Sequence, residues 1–307
     1  MSSFASGYGI DELWGQGLYS KTFVIDMAVE KILISVKTYP TLSRKYDELV
    51  CTAGFLENGS WIRVYPIPYR KLDYADRYQK WQWVEIEVVK NTKDFRKESF
   101  RPANIDAEFV LGDRIGTENN WAERKKIVLK NVRNNMDELI AEAQNPEVGT
   151  SLAVLKPKEI KDFVWEEEER EWDKEKLDAV YANQQQLGLF DEETEATKKI
   201  FKVVRKLPYK FSYVFTTEDG KERTLMIEDW EVGELFWNCL KANGGDEEDA
   251  CRKVREKYFD WMAKKRDLYF LLGTTQRHHN YAKNPFIIIG AFYPPKVQEN
   301  QQYELEF

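Results

Sequence analysis

The sequence predicts an α+β protein: a small N-terminal β-barrel with a helix, an acidic linker, and a C-terminal α+β domain of two hairpins and two helices. Three observations predict it. Short strand-like runs, broken by Pro40, Pro66 and Pro68, crowd the segment after Met27, as in a small barrel. The composition changes abruptly after Trp165 to EEEEREWDKEK. Beyond that stretch, strand-period and helix-period segments alternate again.

Residues 1–26 are rich in Gly and Ser, lack periodicity and read as an extension. The unit expected over 27–163 opens with KILISVK, followed by DELVCTAGF and SWIRVYPI. Asn58-Gly59 between the latter two is a hairpin-turn signal, because such turns need a positive φ. In WQWVEIEVV, Val84, Ile86 and Val88 alternate with Trp83, Glu85 and Glu87, the period of a half-buried strand. A helix is expected over 120–143, with Asn120 as N-cap and a stripe of Ile127, Val128, Val132, Met136, Leu139 and Ile140. The strand SLAVLK is expected to close this unit. Residues 164–200 read as a linker with a short helix near 174–182. In 201–307 a hairpin turns at Asp219-Gly220, helices run Trp230 to Leu240 and Glu247 to Lys264, and DLYFLLG and NPFIIIGAFY are buried strands.

Composition limits function. With 307 residues and 42% apolar side chains the chain can bury real cores. Three cysteines, Cys51, Cys239 and Cys251, make no disulfide framework, which points to a reducing, cytoplasmic setting. The apolar runs fall far short of the roughly 20 residues of a membrane helix, so no membrane partner is expected. The net charge of −7 is unevenly spread. The segment 164–200 holds 5 basic and 12 acidic residues, whereas 27–163 holds 23 and 21, so net charge does not veto a nucleic-acid partner.

In the barrel segment Trp61, Arg63 and Tyr65 alternate along one strand and share a face. Arg70 and Lys71 follow, and DFRKESFRP adds Arg96, Lys97 and Arg101. Cations for phosphates beside flat faces for bases suit nucleic acid. The alternative is that the rings fill the barrel and the charges solvate its rim. The segment CTAGFLENGSWIRVYPIP resembles a poorly characterised bacterial protein group with an OB-type or PUA-like barrel, often met among mobile and antiphage defence genes. That resemblance implies a nucleic-acid-binding barrel and carries no site residue.

The linker contains Gln186-Leu187-Gly188-Leu189-Phe190. This pentapeptide resembles the motif by which bacterial replication and repair proteins bind the sliding clamp, and Gln186, Leu187, Leu189 and Phe190 are its matching positions. Three large apolar side chains among acids are anchors suited to a partner's pocket, worth roughly 5–8 kcal/mol gross if buried. The alternative is packing on the protein's own surface.

Catalytic signals are sparse. No glycine-rich phosphate loop ending in Lys-Ser/Thr occurs, and no cofactor is expected. Glu123/Lys125 and Glu159/Lys161 are chance-level pairs for a nuclease, which would need Mg²⁺. His278 and His279, the only histidines, share a polar loop with Arg277 and are the candidates for chemistry. Glu228, Asp229 and Glu231 read as acids at a helix start, and Trp230, Phe236 and Trp237 as core. The sequence thus favours a DNA-associated protein, DNA before RNA, recruited to a sliding clamp in repair or antiphage defence. A metal-dependent nuclease and a protein-interaction module are the alternatives.

Overall fold

A computed structural model describes residues 27–43, 47–72, 77–104, 108–190 and 203–296. The N-terminal extension 1–26 and the linker stretch 191–202 lie outside the described residues.

Five strands close a barrel: β1 (Met27–Lys37), β3 (Asp47–Leu56), β4 (Trp61–Ile67), β6 (Ser99–Pro102) and β5 (Gln82–Lys90), with β5 returning to pair with β1. β4 and β6 are parallel and the other barrel pairs antiparallel. This order is compatible with an OB-type barrel. β2 (Thr41–Ser43) and β7 (Val110–Arg114) flank it on β3 and β5. The alternation read from the sequence is observed, since Val84, Ile86 and Val88 point inward with Ile32, Ile34, Ile62 and Val64. Gly59 turns the β3–β4 hairpin at φ 86.

The helix expected over 120–143 is two helices. α1 (Glu118–Val128) and α2 (Met136–Gln144) are separated by β8 (Val132–Arg133), which pairs with β9 (Leu152–Leu155). The sequence of both is apolar at helical spacing, but Asn135 caps α2 by accepting from the amides of Asp137 and Glu138, and this fixes the break. Asn120 is no N-cap; it lies in a left-handed stretch.

β9, expected to close the barrel unit, instead joins a four-stranded sheet, β14–β13–β9–β8, with β13 (Tyr269–Thr274) and β14 (Phe286–Phe292). A second difference follows Glu159. β10 (Glu159–Glu167) pairs with β11 (Tyr209–Thr216), and β11 with β12 (Glu222–Met226), so the first acids of the expected linker belong to a sheet. Lys210 pairs with Glu166 across that ladder at 2.9 Å, offsetting the exposed charge. α3 (Lys174–Phe190) is longer than the expected short helix and its backbone carries the clamp-like pentapeptide.

α4 (Trp230–Ala242) and α5 (Glu247–Arg255) form as expected, capped by Asp229 and Asp246. α5 runs on into a π-helix over Glu256–Ala263. No helix among the described residues is long and apolar enough to cross a membrane.

The four-stranded sheet lies against the outside of β1 and β3. Leu33, Val36, Ala53 and Phe55 of the barrel meet Leu152, Val154, Leu271, Ile289 and Phe292 in one buried cluster. Each such side chain contributes about 1.5–3 kcal/mol of burial, so the barrel and the C-terminal sheet hold together as one body.

Candidate nucleic-acid interface

The residues expected to form a basic, aromatic face do not form one. Arg63 is 2% exposed because the C-terminal sheet covers its strand. Its guanidinium donates to Ser99 Oγ at 3.1 Å, Ser151 Oγ at 2.9 Å and the Ser151 carbonyl at 3.1 Å. Arg96 is also buried, donating to both oxygens of Asp94 and to the Thr274 carbonyl. Trp61 is half-buried with its ring 4.0 Å from Phe55, and it lines a cavity of about 300 Å³ against β9. Arg70 is clamped bidentately by the buried Glu48. Arg101 donates to the carbonyls of Pro102 and Ala103, and Lys97 to that of Glu147. Tyr65 and Lys71 remain exposed. Paired, buried guanidinium groups are struts, and their positive charge is spent within the protein.

The histidine loop meets the same joint. His279 is buried, with Nδ1 2.8 Å from Thr274 Oγ1 and its ring edge-on to Phe95. Burial, and then Arg96, hold its pKa below the ordinary value, which keeps it neutral. His278 and Arg277 face solvent, with His278 Nδ1 3.0 Å from Thr275 Oγ1. The two histidines therefore diverge and offer no shared site. Among the described residues no group of three His, Cys, Asp or Glu is placed to hold a metal ion.

A different cluster gathers around Tyr293. Trp121 stands 5.3 Å from Tyr293, and Tyr293 stands 5.5 Å from Trp261, forming a row of half-buried rings. Cations attend each end. Arg124, buried and donating twice to the Ile115 carbonyl, lies 4.7 Å over Trp81 and 5.0 Å over Trp121, while Lys257 and Arg266 lie 3.7 and 4.6 Å over Trp261. Behind the row, Lys80 Nζ sits between Asp229 Oδ1 and Oδ2 at 3.0 and 2.8 Å and reaches Glu231 Oε2 at 3.2 Å.

Unusual backbone supports this row. Asn119, Asn120 and Trp121 hold φ of 48, 56 and 65, and Trp81 holds φ 66, all in the left-handed region that bulky residues avoid. The π-helix supplies Lys257 and Trp261. Left-handed residues and π-helical turns cost energy and tend to persist where a site requires them.

Burial and then Lys80 push the Lys37 ammonium down to about 8. Burial and then Arg114 lower Arg124 to about 10, and burial and then Arg266 lower Lys257. Lys80 is the exception. Burial opposes its charge, but Asp229 and Glu231 outweigh burial and raise it, and Lys80 in turn lowers Glu231. Burial is the largest cause of each lowered value, and the neighbouring cation adds to it.

Residues 28–130 match a family model described as a domain of unknown function (DUF8758), and residues 132–306, more than half of the chain, match a second (DUF8757). The chain belongs to the DUF8757 family. No curated protein matches it. The ring row is built by both matched segments: Lys80, Trp81, Trp121 and Arg124 come from the DUF8758 segment, and Glu231, Lys257, Trp261, Arg266 and Tyr293 from the DUF8757 segment. Sequence reading missed it because these residues lie far apart along the chain. The legible fragment was the acidic helix start around Asp229, which indeed caps α4.

Proposed function

We propose that the protein is a cytosolic, DNA-associated factor that engages nucleic acid at the Trp121–Tyr293–Trp261 row and is recruited to the sliding clamp through Gln186, Leu187, Leu189 and Phe190, in DNA repair or antiphage defence. The observation that carries the reading is the row itself: rings at half burial, with Lys257 and Arg266 beside them. Bases stack on such rings whatever their sequence, and phosphates take the cations. An OB-compatible barrel agrees with it, with contact moved from the covered β3–β4 face to the seam. The free thiols of Cys51, Cys239 and Cys251 suit a reducing compartment.

The test is fluorescence anisotropy with labelled single-stranded and duplex DNA and single-stranded RNA across a salt series. Binding should weaken linearly in log salt, and Trp261→Ala combined with Lys257→Glu should cost ~10-fold or more. Absence of binding at low salt overturns the reading. The clamp arm is separate: Leu189→Ala with Phe190→Ala should abolish capture by purified clamp, and undiminished capture overturns that arm.

A further inference from the structure

A second site lies away from the ring row. Between the barrel edge, the chain at Val203–Arg205 and α4 is a cavity of about 660 Å³, within the range that holds a small organic ligand. Its lining is weighted towards cations, with Arg70, Arg205 and Lys241 against Glu234. Arg70 is already held by Glu48, whose Oε2 also accepts from the Val204 amide at 2.9 Å, so one buried carboxylate fixes two walls. Tyr39 fixes a third, since its hydroxyl donates to the Arg205 carbonyl and accepts from Trp237 Nε1, each at 2.8 Å. The Arg205 guanidinium stacks on the Trp237 ring at 3.7 Å.

The walls carry groups of complementary kinds. A planar guanidinium on an indole leaves its N–H edge free to fork onto an oxyanion, and the exposed Lys241 supplies a point charge from α4. Trp237 and Tyr39 offer apolar surface to the body of the same ligand. We propose that this cavity binds a phosphorylated small molecule of nucleotide size, with Arg205 and Lys241 taking the phosphates and Trp237 the organic part. Recognition relies on side-chain cations, since the chain has no glycine-rich phosphate loop.

The experiment is calorimetric titration of the full chain with ADP, adenosine and inorganic pyrophosphate, with Trp fluorescence read in parallel. ADP should bind, pyrophosphate should compete with it, and adenosine should bind at least ~10-fold more weakly than ADP. Lys241→Glu, on an exposed position that leaves the walls intact, should weaken ADP by ~10-fold, and Arg205→Gln should do the same. If none of the three probes binds, or if adenosine binds as well as ADP, the proposal is overturned. ADP binding unaffected by Lys241→Glu and Arg205→Gln overturns the assignment to this cavity.

Discussion

Arg63 reaches out of the barrel to Ser151 at the start of β9, with Nη1 2.9 Å from the hydroxyl and Nη2 3.1 Å from the carbonyl. Ser151 in turn donates to Glu98 Oε2 at 2.8 Å, and Arg63 also holds Ser99, so one guanidinium ties β4, β6 and β9 together. Arg63→Met should therefore destabilise the fold by about 3 kcal/mol, because the Ser99 hydroxyl and the Ser151 hydroxyl and carbonyl lose a buried donor that a methionine cannot replace. Urea unfolding measures it. A loss below about 0.5 kcal/mol would show that the joint is held by the apolar cluster alone.

Lys37 gives a pH dependence of definite sign. Its ammonium lies 4.3 Å over the Tyr69 ring and 5.6 Å over Trp230, donates to Tyr69 Oη, and titrates at about 8 against an ordinary 10.5. The folded protein gives up this proton before the unfolded chain does, so the unfolded state binds more protons between those values. Stability should then rise with pH from about 8 towards 10.5. Lys37→Met removes the titrating group, so unfolding free energy measured across that window should flatten, with the variant the more stable at neutral pH. A variant that keeps the wild-type slope contradicts the assignment.

The left-handed stretch within the first turn of α1 predicts opposite effects of two small substitutions. Asn120 holds φ 56 between Asn119 and Trp121, which are left-handed too. Asn tolerates this region better than most residues, glycine adopts it freely and alanine does not. Asn120→Ala should cost about 1 kcal/mol and Asn120→Gly should be neutral or stabilising by a few tenths. Thermal unfolding of the pair checks it. Alanine equal to glycine would mean that the stretch is not strained.

Much of the fold was legible in the sequence, because local signals sufficed. Asn58-Gly59 and Asp219-Gly220 mark real turns, the alternation through Val84, Ile86 and Val88 marks a real barrel strand, and Asp229 and Asp246 mark real caps. What was not legible depended on pairing between distant segments. Leu152–Leu155 reads equally well as a barrel strand or as the partner of β13, and only the apolar outside of β1 and β3 decides for the latter. The same covering strand turned Arg63 from an expected surface cation into a strut. Alternation says which residues share a face of a strand, and leaves open whether another sheet lies on it. The ring row was illegible for a related reason, since Trp121, Trp261 and Tyr293 come from three elements that approach only in the folded chain.

His279 offers the converse limb of the pH profile. It is buried beside Arg96, with Thr274 Oγ1 2.8 Å from Nδ1, and burial and then Arg96 depress its pKa below 6.5. The unfolded chain therefore takes up this proton first as pH falls, and stability present above 6.5 is lost progressively below it. His279→Gln keeps a hydrogen-bonding side chain for Thr274 and removes the titration. Its unfolding free energy should change less than that of the wild type between pH 6.5 and about 5.5; Asp229, which burial pushes up to about 6, is common to both proteins and drops out of the difference. An acid limb of the same steepness in the variant would place the titrating group elsewhere.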